Sequence, residues 1–69
     1  MTDLNARLLA AHAADDRRAL VRLYEEAADQ ANDIDAACFY LTHAYIFALE
    51  LGHPATPLLH LRLAQHGRI

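Results

Sequence analysis

The sequence predicts an all-α protein of four short antiparallel helices, arranged as two stacked helix-turn-helix hairpins in a single domain of residues 1–69. Three observations support this fold class. Alanine, the strongest helix former, occurs fifteen times, whereas glycine and proline occur twice each. Apolar residues recur at intervals of three and four, which is typical of amphipathic helices. Capping residues and helix breakers divide the chain into four such segments.

The first predicted hairpin covers residues 2–31. Its first helix runs from about Thr2 to Ala13, with Thr2 or Asp3 as the N-cap. The second helix begins after Asp15 and Asp16, since acidic groups stabilise the positive end of a helix dipole. The apolar side of the first helix carries Leu4, Leu8 and Ala11. The apolar stripe of the second helix comprises Leu20, Leu23, Tyr24, Ala27 and Ala31. Its opposite side carries charges that we expect to pair along the helix surface, namely Arg18, Arg22, Glu25, Glu26 and Asp29.

The second predicted hairpin covers residues 33–66. Asp33 is the expected N-cap of the third helix, which runs to about Leu51. Gly52 ends this helix, because glycine readily adopts the left-handed conformation that closes a helix. Both prolines fall near the start of the fourth helix, where a missing N–H is tolerated, and that helix runs to about Gln65. The links between segments are short, which favours antiparallel neighbours.

Composition argues against several classes of partner. The net charge of -3, with nine acidic residues and six arginines, gives no general attraction to nucleic acid. Cys38 is the single cysteine, so an internal disulfide is impossible, which suits the cytoplasm. The N-terminus has no basic start followed by an apolar core, unlike a signal peptide. The longest weakly polar run, residues 36–49, is shorter than the roughly 20 residues of a membrane span. We therefore expect a cytoplasmic protein with no membrane span and no nucleic-acid partner.

The chain also carries no recognisable catalytic or metal-binding pattern. The five histidines are His12, His43, His53, His60 and His66, and no two lie four residues apart on one helix, as paired metal ligands would. Cys38 and His43 are separated by about 140° around their helix, too far for a nucleophile and its base. There is no serine and no glycine-rich phosphate loop. We expect no enzymatic activity, no cofactor and no bound metal.

An internal repeat connects the two hairpins. A shift of 34 residues places Ala10 on Ala44, Asp16 on Glu50, Tyr24 on Leu58 and Ala27 on Leu61, and the predicted segment boundaries agree with that period. The segment Leu41-Thr42-His43-Ala44-Tyr45 resembles the first-helix core of a tetratricopeptide repeat. The matching second-helix positions of the preceding repeat are Leu20, Tyr24 and Ala27. The chain thus resembles this family over nearly its whole length, as two consecutive repeats. It departs from the usual motif at Arg7-Leu8, Ala14 and Pro54.

The third helix has no obvious hydrated side. Its expected core face carries Ile34, Cys38, Leu41, Tyr45 and Ala48. The reverse face carries Phe39, His43, Ile46, Phe47 and Glu50, which include both phenylalanines of the chain. A helix that is apolar all round is usually buried all round. Either the first or fourth helix folds over the reverse face, or a partner protein or second copy covers it.

The family resemblance implies a site on that same face. In tetratricopeptide repeats the first helix of each hairpin lines a concave groove that receives a peptide or a helix. By position, the groove would hold Asn5, Leu9, His12 and Ala13 from the first helix. From the third helix it would hold Ala36, Phe39, His43, Ile46 and Phe47. Such arrays normally need three or more repeats, so docking or self-association would supply the missing interface.

The functional prediction is therefore a non-enzymatic interaction or assembly module. Its partner-binding residues are expected to be Asn5, Leu9, His12, Phe39, His43, Ile46 and Phe47. The partner is a peptide or helix of another protein; the alternative is a homodimer that uses the same face, and a more distant one is an accessory subunit of a membrane complex. On this view, Phe47→Glu abolishes binding without loss of the helical circular-dichroism signal.

Overall fold

A computed structural model describes residues 3–69 as four α-helices, with no strand among these residues. The helices are α1 (Leu4–Ala13), α2 (Arg17–Gln30), α3 (Ile34–Leu51) and α4 (Thr56–Gln65). The all-α prediction is confirmed, and the expected helix boundaries agree to within a few residues. The expected start at Thr2 lies outside the described residues.

Three of the helices begin at an aspartate whose carboxylate accepts a hydrogen bond from the backbone N–H three residues later. These N-caps are Asp3, Asp16 and Asp33, with N···O distances of 2.8, 3.2 and 2.8 Å. Helix α4 has no side-chain cap and carries a proline in its first turn. The capping predicted from the sequence is thus confirmed for α3 and, at Asp3, for α1, and α2 begins after Asp16 as expected.

Helices α1, α3 and α4 end in the same left-handed turn. The left-handed residue is Gly52 after α3, with φ 63°, and Gly67 after α4, with φ 70°. After α1 it is Asp15, with φ 52°. In that first turn the N–H of Asp16 donates to the carbonyl of Ala11 at 2.9 Å, which closes the helix end. Glycine adopts this conformation freely, whereas an L-residue with a Cβ atom does not.

Replacing Asp15 by glycine is therefore expected to give a more stable protein than replacing it by alanine. Both variants remove the carboxylate and its 3.4 Å ion pair with Arg17, so the comparison isolates the backbone. We expect a difference of about 1 kcal/mol in the free energy of unfolding, in favour of glycine. Urea titrations followed by far-UV circular dichroism measure it. Equal midpoints would show that this turn does not require a left-handed residue.

The core consists of two clusters that share helix α2. The smaller joins α1 to α2 and contains Ala11, Leu20 and Leu23. The larger joins α2, α3 and α4 and contains Val21, Ala28, Cys38, Leu41, Ala44, Ala48, Leu59 and Leu63. The single apolar stripe predicted for α2 omitted Val21 and Ala28, which are both buried. Helix α2 packs on two sides, so its buried arc is wider than one stripe.

Two further details differ from the sequence-based prediction. Ile34 was expected in the core but is exposed, because it is the first residue of α3 and lies outside both clusters. Helices α1 and α3, the first helices of the two predicted hairpins, begin 30 residues apart, at Leu4 and Ile34, and end in left-handed residues 37 apart, at Asp15 and Gly52. The expected agreement of the boundaries with a constant period of 34 is therefore wrong. Helix α3 has 18 residues and α1 has 10, so the two helices that the repeat would match differ in length.

The charged side of α2 pairs with other helices and not along its own surface. Glu26 binds Arg7 of α1 at 2.8 Å, and Asp29 binds Arg62 of α4 at 2.7 Å. Arg17 reaches Glu50 of α3 at 3.0 Å. The expectation of a network within α2 is wrong, because the neighbouring helices bring long arginine side chains within reach. These pairs are partly exposed, and each is worth about 0–1 kcal/mol.

Candidate protein-interaction face

Helix α3 carries a row of exposed residues on the side opposite its core contacts. We call Phe39, Thr42, Ile46 and Leu49 the outer row. The exposed fractions of Phe39, Ile46 and Leu49 are 60%, 50% and 53%, and Thr42 is also exposed. The intervals of three, four and three residues keep the row on one arc about 80° wide. The outer row is thus an apolar strip interrupted by one small hydroxyl residue, Thr42.

The structure divides the face that the sequence predicted. Phe39 and Ile46 lie in the outer row, whereas His43 and Phe47 turn towards α2. The ring centroid of Tyr24 lies 5.0 Å from that of His43 and 6.1 Å from that of Phe47, and both pairs are stacked. Phe47 is half-buried and packs against both core clusters. It therefore lies within the protein and not on its free surface.

The residues around Tyr24 form an aromatic cluster between α1, α2 and α3. The Tyr24 hydroxyl and His12 Nε2 are 2.9 Å apart, and the His12 ring lies 6.3 Å from that of Phe47. Phe39 connects the cluster to the outer row, since its ring lies 4.5 Å from that of His43. Burial, with a smaller contribution from Tyr40, raises the pKa of the Tyr24 phenol. The rings of the cluster lie against one another, which suits a packing role.

The predicted groove residues of α1 do not all join this cluster. His12 joins it through Tyr24, whereas Asn5 and Leu9 are exposed on the outward side of α1. Among the described residues, no Cα atom of α1 lies within 8 Å of one in α3. The side chains of the two helices meet around Tyr24 of α2, which contacts His12, His43 and Phe47. Four of the seven predicted residues come together: His12, Phe39, His43 and Phe47.

Sequence reasoning missed two members of the outer row and one central aromatic residue. Leu49 and Thr42 were not assigned to the face, although the alternating three- and four-residue spacing from Phe39 would have identified both. Tyr24 was expected in the core, but its role as the stacking partner of α3 was not visible in the pattern. That role depends on where α2 lies relative to α3.

The other surfaces of the described chain are less suited to binding a partner. A depression of about 300 Å³ between α1 and α2 is lined by Arg7, Ala19, Arg22, Leu23 and Glu26. Two of these residues, Arg7 and Glu26, form an ion pair with each other, and the depression contains none of the predicted partner-binding residues. Within residues 3–69, no group of three or more histidine, cysteine, aspartate or glutamate side chains is placed to hold a metal ion.

Helix α3 also has the length and composition of a membrane-crossing helix. Its 18 residues have a mean hydropathy of 1.2, and 22% of them are buried within the protein. Core helices of water-soluble proteins meet the same criteria, so this property alone is weak evidence for a membrane span.

Comparisons with protein-family models, curated proteins and solved structures gave no match to this chain. The resemblance to tetratricopeptide repeats thus rests on the residue pattern alone.

Proposed function

We propose that this protein is a non-enzymatic interaction module that docks a helix of a protein partner on the outer row of α3. The main observation in support is that three large apolar side chains, each at least half exposed, lie on one arc of one helix. Single exposed apolar residues are ordinary on any protein surface. A contiguous apolar strip is a typical mark of a protein contact.

The proposal includes a tetratricopeptide-like arrangement of two antiparallel hairpins. In its support, Arg17 at the start of α2 pairs with Glu50 at the end of α3. Arg62 in the second half of α4 pairs with Asp29 at the end of α2. Consecutive helices pack against each other along the chain. In such an arrangement His12 of α1 meets Tyr24 of α2, which stacks on His43 and Phe47 of α3.

Magnitudes determine what kind of partner fits the outer row. Completing the burial of Phe39, Ile46 and Leu49, which are about half buried already, is worth about 2–5 kcal/mol in total. Association costs an estimated 4–15 kcal/mol in lost freedom. A partner with a flat or polar surface would therefore bind too weakly to form a stable complex. The partner must bring an apolar row of its own, and a helix with a matching stripe does so.

Site-specific photo-cross-linking tests the proposal. A benzophenone-bearing phenylalanine analogue at Phe39 is expected to give a covalent protein adduct in a lysate of the native cell. The same analogue at Arg18, an exposed position on α2, is the control and is expected to give none. Adding Ile46→Glu to the Phe39 probe should abolish the adduct, because the added charge lies within the apolar strip. Equal labelling at both positions, or none at Phe39, would contradict the proposed function.

A further inference from the structure

The buried residues of this protein fall into two clusters, and α1 contributes to only one of them. The larger cluster contains residues of α2, α3 and α4 and none of α1. The smaller cluster contains Ala11 of α1 with Leu20 and Leu23 of α2. No buried residue belongs to both clusters. Removal of α1 would therefore leave the buried residues of the larger cluster in place.

A comparison with α4 shows how lightly α1 is packed. Each of these helices has 10 residues and lies close to a single neighbour, α2 for α1 and α3 for α4. Helix α4 buries Leu59 and Leu63, whereas α1 buries Ala11, and its Leu4 and Leu8 are only partly buried. Because the gain from burial grows with the apolar area removed from water, one alanine contributes far less than two leucines. Helix α1 is thus the most weakly packed of the four.

The polar contacts that hold α1 against α2 are open to water. Arg7 pairs with Glu26 at 2.8 Å, and both side chains are about 40% exposed. The exposed contact of His12 Nε2 with the Tyr24 hydroxyl is 2.9 Å long. Such pairs add little stability, because water replaces the lost partner. The Arg7 Nε atom is buried without a hydrogen-bond partner among the described residues, and separation of the two helices would return it to water.

The turn between α1 and α2 favours the release of α1. Asp15 has a left-handed backbone, with φ 52°, and this conformation is unfavourable for a residue with a Cβ atom. The chain needs it only while α1 folds back on α2. Residues 4–30 contain neither glycine nor proline, so a released α1 can continue as helix from the start of α2. Opening at this turn therefore relieves the unfavourable conformation of Asp15.

We propose that α1 is a lid, which opens as a unit at Asp15 while α2, α3 and α4 stay folded. The closed lid covers an apolar surface that consists of Leu20 and Leu23 of α2, with Tyr24 and Phe47 beside them. Opening exposes this surface, so α1 is the internal occupant that blocks it. The covered surface contains no residue of the outer row. Opening of the lid is therefore separate from docking on the outer row, and either can fail without the other.

Thiol labelling of the full chain measures how readily the lid opens. One variant combines Ala11→Cys with Cys38→Ala, so that its only thiol lies beneath the lid. The wild type is the control, because its only thiol, at Cys38, is buried in the larger cluster. The thiol at position 11 is expected to react with an aromatic disulfide reagent at least roughly tenfold faster than the Cys38 thiol.

The dependence of both labelling rates on urea separates lid opening from a lower overall stability of the variant. Opening of α1 exposes less surface than unfolding of the whole chain, so urea should accelerate labelling less at position 11 than at Cys38. Equal rates with equal dependence on urea would mean that α1 separates only when the whole chain unfolds, and would overturn the lid.

A charge placed beneath the lid tests whether the other three helices stay folded without it. Ala11→Glu introduces a carboxylate at the contact with α2 and is expected to hold the lid open. The matched control is Ala10→Glu, at the adjacent exposed alanine, which should behave like the wild type. In hydrogen exchange followed by mass spectrometry, the α1 amides of Ala11→Glu should lose protection while those of residues 41–48 keep it. Loss of protection in both segments, or in neither, would overturn the inference.

Discussion

Shortening Leu41 to alanine is expected to lower the free energy of unfolding by about 2–5 kcal/mol. Leu41 is 1% exposed and belongs to the larger core cluster, with Val21, Leu59 and Leu63. The loss combines the transfer of buried methyl groups with a cavity that the surrounding helices fill only in part. A single core in a chain of this size rarely supplies more than about 3–5 kcal/mol, so the variant should be largely unfolded at 25 °C.

Thermal and urea unfolding, followed by far-UV circular dichroism, measure this effect. The matched control is Leu61→Ala, the same substitution at a position 52% exposed, which is expected to change stability by less than about 0.5 kcal/mol. A Leu41→Ala variant that unfolds at the wild-type midpoint would contradict the assignment of the core.

Replacing Phe47 by glutamate is expected to unfold the chain, whereas the same change at the adjacent Ile46 is not. Phe47 packs against both core clusters and stacks on Tyr24, so the change removes an aromatic side chain and introduces a charge beside the core. Removing a packed phenylalanine typically lowers the free energy of unfolding by about 3–5 kcal/mol. Ile46 lies in the outer row, where the added charge remains in water. The pair therefore separates packing from docking at two neighbouring positions.

The helical signal and the unfolding midpoint of both variants test this expectation. Wild-type stability of Phe47→Glu, with loss of association, would restore Phe47 to the docking face expected from the sequence. Unfolding of both variants would show that the outer row also contributes to the core. Loss of helicity in Phe47→Glu alone supports the division of α3 seen in the structure.

Local signals identified the helices and their ends. Asp33 was recognised as an N-cap, Asp15 and Asp16 as the start of the second helix and Gly52 as a helix stop. In the structure Asp33 and Asp16 cap α3 and α2, and Gly52 ends α3. These features depend on hydrogen bonds and backbone angles within three to five residues, so the chain specifies them without knowledge of distant contacts. The sequence also identified Cys38, Leu41 and Ala48 as buried, because their spacing along one helix places them on the same face.

The division of α3 into an outer row and a packed side was decided by tertiary structure. A helical period gives the angle between two side chains of one helix, but not the direction from which another helix arrives. Tyr24 of α2 lies against His43 and Phe47, which therefore leave the free face, and leaves Phe39 and Ile46 in water. The sequence by itself determined that α3 is apolar around its circumference. Only the placement of α2 and α4 decided which part of that circumference stays exposed, because packing between helices separated in the chain depends on the whole fold.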